Sequence, residues 1–404
     1  MHIRTAITAG AALVQTAVAA SVQAKNVIYI VPDGYGPASQ NMARDLMSLV
    51  DSGTTGSNPK IDELPVDDLA IGRVRTHSAN NMITDSAASG TAYAAGHKSY
   101  NGAISVTPDG QPVGSILEAA KLGGMKTGLV STTYISDATP GESMRYEMDR
   151  RVIQDEPSLL EMAETAVNAL HRATRRRNKG FFLMIEAARI DHAGHDNDPA
   201  NHAFETVMYN NVVAWVRDWI DQHPDTIMLS AADHETGGLT LNGYDPLPLR
   251  NATHSRAYLQ SVWDNDRPAD VDERDFLVSE ILPAYGLENV EDADIQTILD
   301  ADSIGAGIAA LMSSRAGVDW STGGHTSVDV TLHGYAAGRK RQALKADLAG
   351  GWDNTELPRY IEEVLGLDMD AVTERLRKAA EEDSSWLGPR ELARRDLGGC
   401  DHYH

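Results

Sequence analysis

Four short apolar runs punctuate the first two-thirds of the chain, and each stops at a polar cluster. They are NVIYIV (residues 26–31), MKTGLVST (125–132), FFLMIE (181–186) and TIMLSAAD (226–233). Runs of this length, bounded by turn residues, predict strands buried inside a sheet. Between them apolar positions recur at helical spacing, from about Pro37 to Val50 and through SILEAAKLGG (115–124), EPSLLEMAETAVNALHRATRRR (156–177) and NHAFETVMYNNVVAWVRDWIDQH (201–223). This alternation predicts an α/β fold with a largely parallel central sheet and helices on both faces. The rhythm fades after GGLTLNGYDPLP (237–248). Residues from about 242 to 322 are acidic and mostly helical in pattern, which reads as an insertion between core elements. From about 367 to 404 the pattern is a charged helical tail, and no internal repeat is visible.

Composition narrows the partners. The 404 residues are 42% hydrophobic, enough for a sizeable core, and 58 acids against 35 bases give a net charge of −23. A phosphate backbone would be repelled, so nucleic acid is excluded as a partner. A lysine-poor acidic surface suits salty surroundings, where screening relieves self-repulsion, and suits an ordinary acidic protein equally well. The one cysteine, Cys400, rules out a disulfide framework and a cysteine metal site. Residues 1–24 carry Arg4, an Ala-rich apolar stretch and small residues ending at Ala24, the pattern of a secretory signal, so a periplasmic or secreted location is expected. That stretch is too short and interrupted to span a bilayer, and no later segment qualifies as a membrane span.

The polar clusters at the strand ends hold the candidate chemistry. Asp33 follows the first run, Asp137 and Thr139 the second, and Glu186, Asp191 and His195 the third. Asp233 and His234 follow the fourth, and His325 stands in STGGHTSVD. Any one of these could be a helix cap. Together, at the carboxyl ends of strands in one sheet, they converge on the edge where α/β proteins bind ligands. Carboxylates and histidines without thiolates suit zinc or a similar divalent ion, and the carboxylate–threonine subset suits magnesium. Two such ions can clamp the oxygens of a phosphoryl transfer. Ser86, in ITDSAASGTAYAAG, reads either as an N-cap or as a nucleophile at a helix start. The DRR at 149–151 offers guanidinium groups for phosphate or a solvated charged face.

At this point the chain resembles the alkaline phosphatase family. The resemblance rests on VPDGYG, TDSAASGTAYAAGHKSYNGAISV, DATPGESMRYEMDRR, IEAARIDHAGHDND, SAADHETGG and GGHTSVDV, in family order. It implies that Ser86 becomes a phosphoserine and that Asp191, His195 and His325 bind a first zinc ion. Asp233 and His234 would bind a second zinc, with Asp33 shared between it and magnesium. Thr139 and Glu186 would also hold magnesium, and Asp137 its waters. Family spacing makes Arg150, rather than Arg151, the phosphate-binding arginine, oriented by Asp85. His192 would face the substrate, and Asp196 would cap the following helix. The resemblance also implies phosphomonoester substrates and a homodimer. A related phosphodiesterase, sulfatase or phosphosugar mutase is a rival reading, and so is a non-enzymatic periplasmic phosphate- or metal-binding protein.

Overall fold

In the computed structural model, which describes residues 22–133, 144–176 and 179–382, seven strands form one mixed sheet. They are β1 (Asn26–Val31), β2 (Ala70–Arg75), β3 (Lys126–Ser131), β4 (Phe181–Glu186), β5 (Thr226–Ser230), β6 (Val330–Ala336) and β7 (Gly350–Asp353). They lie in the order β7-β2-β6-β5-β1-β4-β3. β1 pairs in parallel with β4 and β5, β3 with β4, and β7 with β2, while β6 runs antiparallel to both β5 and β2.

The four expected strands are contiguous, and β5, β1 and β4 make the sheet's centre. Ile28, Ile30, Leu183, Ile185, Met228 and Leu229 are fully buried there. β2, β6 and β7 were not expected. AIGRVR, VTLHGYA and GGWD mix Gly, Arg and His into short runs, and β2 and β7 are mostly exposed or half-buried. Pairing with neighbours, rather than local pattern, makes them strands.

The helices that bear on the site are α1 (Pro37–Ser52), α2 (Ser86–Ala95), α3 (Ile116–Leu122), α4 (Glu147–Ile153), α5 (Leu159–Thr174), α6 (Arg189–His195), α7 (Pro199–Gln222) and α8 (Arg256–Asn265). α5 packs on β3 and β4, and α7 on β5 and β6, with α1 against α7. α2, α3 and the helices Glu356–Leu365 and Met369–Glu382 form a second group on β1, β3 and β4. Among the described residues no helix is long and apolar enough to cross a membrane.

The insertion leaves and returns through a ribbon in which Leu239–Leu241 pairs antiparallel with Val318–Trp320. Beyond that stem lie α8 and the helices Asp292–Leu299 and Ile304–Ala316, among others. Leu259, Phe276, Ile281, Ile298 and Ile308 give the insertion a core of its own, continuous with Met42 and Leu46 of α1 and with Ala200 and Ala203 of α7. The C-terminal segment is more integrated than a tail. Met369 and Val372 are buried, and Thr373 Oγ1 accepts from Gly114 N at 2.9 Å. Residues 383–404 lie outside the described residues, as do 1–21 of the expected leader. Val22, which a cut after Ala24 would remove, is buried, and its N–H donates to Asp347 Oδ2 at 3.3 Å.

Candidate active site

Because β5, β1, β4 and β3 are parallel neighbours, the chain leaves all four at one edge of the sheet. Asp33 lies two residues past β1, Glu186 ends β4, α6 carries Asp191 and His195 just beyond β4, and Asp233 and His234 follow β5. β6 runs the other way, so its entry is at the same edge, and His325 arrives there from the segment before it. Glu235–Thr236 pairs antiparallel with His325–Thr326. This ribbon stacks the His325 ring on His234, with centroids 3.6 Å apart.

Two donor sets result, Asp191–His195–His325 and Asp33–Asp233–His234, each with its donor atoms within 4.8 Å of one another. In the first, His195 Nε2 lies 3.1 Å from Asp191 Oδ2, His325 Nε2 lies 3.5 Å from Asp191 Oδ1, and the two Nε2 atoms are 3.1 Å apart. His195 Nδ1 faces Gly323 O at 2.7 Å, and His325 Nδ1 faces Thr84 O at 3.0 Å. A carbonyl only accepts, so both Nδ1 atoms carry hydrogen, and an unprotonated Nε2 on either ring would turn its lone pair toward the other ring and toward the carboxylate. Such donors repel unless protons or a cation come between them, and backbone contacts of this kind fix the tautomer of metal-binding histidines. Asp191 accordingly draws His195 up to about 9 against the opposing effect of burial.

The second set is built alike. His234 Nδ1 lies 3.2 Å from Thr236 Oγ1, whose hydroxyl donates to Asp191 Oδ1 at 2.5 Å. Nδ1 is therefore the donor, and Nε2 is left 3.1 Å from Asp233 Oδ2, 3.7 Å from Asp33 Oδ1 and 3.1 Å from Ser86 Oγ. Burial first, then the charges of Asp233, Asp191 and Glu186, raise Asp33 well above the usual carboxylate range. Its Oδ1 is buried without a hydrogen-bond partner. Asp191 and Asp233 are just as buried, but His195 and His325 hold the first, and His234 the second, below that range. Carboxylates crowded with imidazole lone pairs and no thiolate form a donor set that fits zinc-type ions.

Ser86 opens α2 but does not cap it. Asp85 does, its Oδ1 accepting from Ala88 N at 2.8 Å and its Oδ2 from Gly102 N. The serine hydroxyl is thereby free to face His234. The small residues of α2 let it lie against the end of β5, where Ser89 Oγ donates to Asp233 O at 2.9 Å and Tyr93 OH to Ala232 O at 2.7 Å. Gly34 is equally local in its reason. Its φ is +75°, and a Cβ there would stand 2.5 Å from Asp191 Cα.

Of the remaining expected residues, Glu186 Oε2 accepts from Ser131 Oγ at 2.7 Å. His192 is half-buried, and burial pushes its imidazole down to about 4, so it is neutral. Asp137 and Thr139 lie outside the described residues. Among the described residues no hydrogen bond joins Arg150 to Ser86. Arg150 makes a two-point contact with Glu147, from Nε at 2.8 Å and Nη2 at 2.9 Å. Asp85 does not orient it either. That carboxylate accepts from the α2 N-terminus and from Gly102 N, and no ion pair joins the two among the described residues. Asp196 is not the cap of α7. Asp198 is, accepting from Asn201 N, while Asp196 pairs with Arg256.

Sequence reasoning passed over Thr236, Ser89 and Tyr93. Thr236 carried a signal, because it stands two positions after His234 in SAADHETGG and so shares its side in an extended segment.

Fold and site together define an α/β protein with two candidate metal-ligand sets and a serine hydroxyl at the carboxyl edge of its sheet. The family model described as "Alkaline phosphatase" matches residues 24–155 and 141–367. The repressible alkaline phosphatase of Saccharomyces cerevisiae is 30% identical, covering 89% of this chain and 84% of its own length. The alkaline phosphatase of Schizosaccharomyces pombe is 28% identical, covering 88% and 84%. The crystal structure of Thermus thermophilus alkaline phosphatase superposes with a TM-score of 0.73 at 22% identity, covering 90% of this chain and 98% of that one. The chain belongs to the alkaline phosphatase family of hydrolases.

Proposed function

We propose that this enzyme hydrolyses phosphate monoesters through a covalent phosphoserine at Ser86, in a site for two zinc ions and one magnesium ion. The observation that carries the reading is Ser86 Oγ standing 3.1 Å from His234 Nε2, with Asp85 taking over the cap. Asp191, His195 and His325 would hold one zinc, and Asp233 and His234, with Asp33, the other. Asp33 and Glu186, with Thr139 and Asp137, would serve magnesium. Divalent ions held there would neutralise phosphate charge and lower the pKa of reacting hydroxyls.

The chain supplies position and electrostatics. Ser86 is the first residue of α2, and a helix N-terminus favours an anion. Ser86 Oγ forms a bond to phosphorus as the ester P–O bond breaks and the alcohol leaves. Water then displaces Oγ, which recovers its proton, and inorganic phosphate departs. Arg150 would exchange Glu147 for two nonbridging phosphate oxygens, and neutral His192 would face the substrate. With only the phosphate gripped, broad monoester specificity follows. The leader pattern supports a periplasmic or secreted location, and the family resemblance supports a homodimer.

The test is acid-quench trapping of labelled phosphate on Ser86, beside zinc and magnesium analysis. Wild-type protein should yield a labelled serine and lose activity with its zinc. Ser86→Ala should keep its fold and zinc, lose the label, and turn over monoesters about a thousandfold more slowly. Near-wild-type turnover by the variant would overturn the nucleophile assignment, and a preference for diesters would overturn the substrate class.

A further inference from the structure

Two of the three residues of the first donor set, Asp191 and His195, stand on α6, a helix of seven residues. Isolated helices shorter than about 12 residues are marginal in water, so its orientation comes from outside. At its start, the Arg189 guanidinium lies 3.5 Å from the centre of the Tyr146 ring. At its end comes the turn Asp196–Asn197–Asp198, with Asn197 at φ +49°. The insertion grips this turn. Arg256 Nη2 donates to Asp196 Oδ1 at 2.6 Å, and Arg256 N donates to Asp198 Oδ2 at 2.8 Å. The neighbouring Ser255 donates from N and Oγ to the two oxygens of Asp149 on α4, at 2.8 and 2.7 Å. Two residues at the head of α8 therefore tie the metal-ligand helix to the helix of Arg150. Ser255, Asp149 and Asp198 are almost wholly buried, which fixes the junction.

The lever is steep. A seven-residue helix is about 10 Å long, and tilting it by about 5° from its start moves the far end by about 0.9 Å. Metal–ligand distances tolerate about 0.2 Å. His195 stands at that far end, next to Asp196.

We infer that Arg256 is a positioning residue for the first metal subsite, the insertion acting through it as a brace that sets how Asp191 and His195 present their donor atoms. This inference rests on the metal reading above. The experiment titrates zinc and cobalt into metal-free whole protein against a chelator, following cobalt d–d absorption, for wild type, Arg256→Gln, Arg256→Lys and Asp196→Asn. Wild type should show two tight zinc sites. Arg256→Gln should weaken one of them about tenfold, leave the other within about twofold, and alter the cobalt spectrum. Asp196→Asn, which leaves the insertion untouched, should do the same, the double variant should be no worse than either single one, and Arg256→Lys should recover part of the loss. Wild-type affinities and spectra in both single variants, or equal losses at both sites in step with the melting temperature, would overturn the brace alone. If Arg256→Gln does not fold, Asp196→Asn decides by the same criteria. A wild-type protein without tight sites would overturn the metal reading and the brace with it.

Discussion

Glu205 shows how far a single buried group sets the enzyme's response to pH. It lies on α7 with its side chain enclosed, and Oε1 accepts from Glu147 N at 2.5 Å. Burial pushes it up to about 7, against the Glu147 N–H and Arg189, with the charges of Glu147 and Asp149 adding to the rise. An unfolded glutamate titrates near 4.3. Between those values the folded chain holds a proton that the unfolded chain has released, so stability falls as pH climbs through the window. Above it the full cost remains, on the order of 3 kcal/mol. Glu205→Gln keeps an acceptor for Glu147 N and has no charge to bury. It should raise the melting temperature at pH 9 and leave it nearly unchanged at pH 4. An equal effect at both would show that Glu205 does not bear this cost. Residues such as Asp33, Asp191 and His234 were legible because a strand pattern ends beside them. Thr236 and Arg256 act through partners 45 and 60 positions away, and no local pattern encodes such a pairing. The contact of Arg150 with Glu147, one turn back, was hidden for a related reason, since spacing along the chain says nothing of which acid holds a guanidinium.

Among the elements, the sequence disclosed the strands that are apolar on both sides and hid those held by pairing. β1, β4 and β5 announce themselves, and β3 does so although it is an edge strand with only Val130 buried, not the buried strand expected, whereas β2, β6 and β7 need the sheet already present. The direction of β6 was invisible too, although it is what returns His325 to the working edge. Junctions between elements were half-legible. VPDGYG signals a turn after β1, but only the fold shows why Gly34 is needed there. Alanine at 34 meets strain at φ +75° and a contact 2.5 Å from Asp191 Cα. The left-handed backbone costs about 1–2 kcal/mol, and the crowding about as much again. Gly34→Ala should therefore lower stability by about 3 kcal/mol in denaturant melts and reduce bound zinc, because α6 must shift away. Unchanged stability and zinc would refute the close packing of the β1 turn on α6.

Over the whole molecule, charge is the dominant unspecific force. The net charge of −23 is only locally offset, as where Arg217 and Arg341 gather around Asp68. Exposed pairs of this kind contribute about 0–1 kcal/mol each. The Debye length is about 30 Å at 0.01 M salt and about 3 Å at 1 M. Molar sodium chloride should therefore raise the melting temperature with metals saturating, while the buried site keeps substantial activity. A melting temperature that is flat or falls with salt would reject the acidic-shell account. The antiparallel return of β6 has a consequence for the order of assembly. The donors of the first set come from residues 191, 195 and 325, and β6 must dock between β2 and β5 to seat the last of them. A growing chain that has just made α6 owns two of the three donors and no surface on which to hold the third. Closure of the first set thus waits for most of the polypeptide, and a nascent chain reaches β6 with only the second set, whose last residue is His234, complete in sequence. Capture of an ion by the first set would be a late event that records the arrival of a strand made more than a hundred residues after α6.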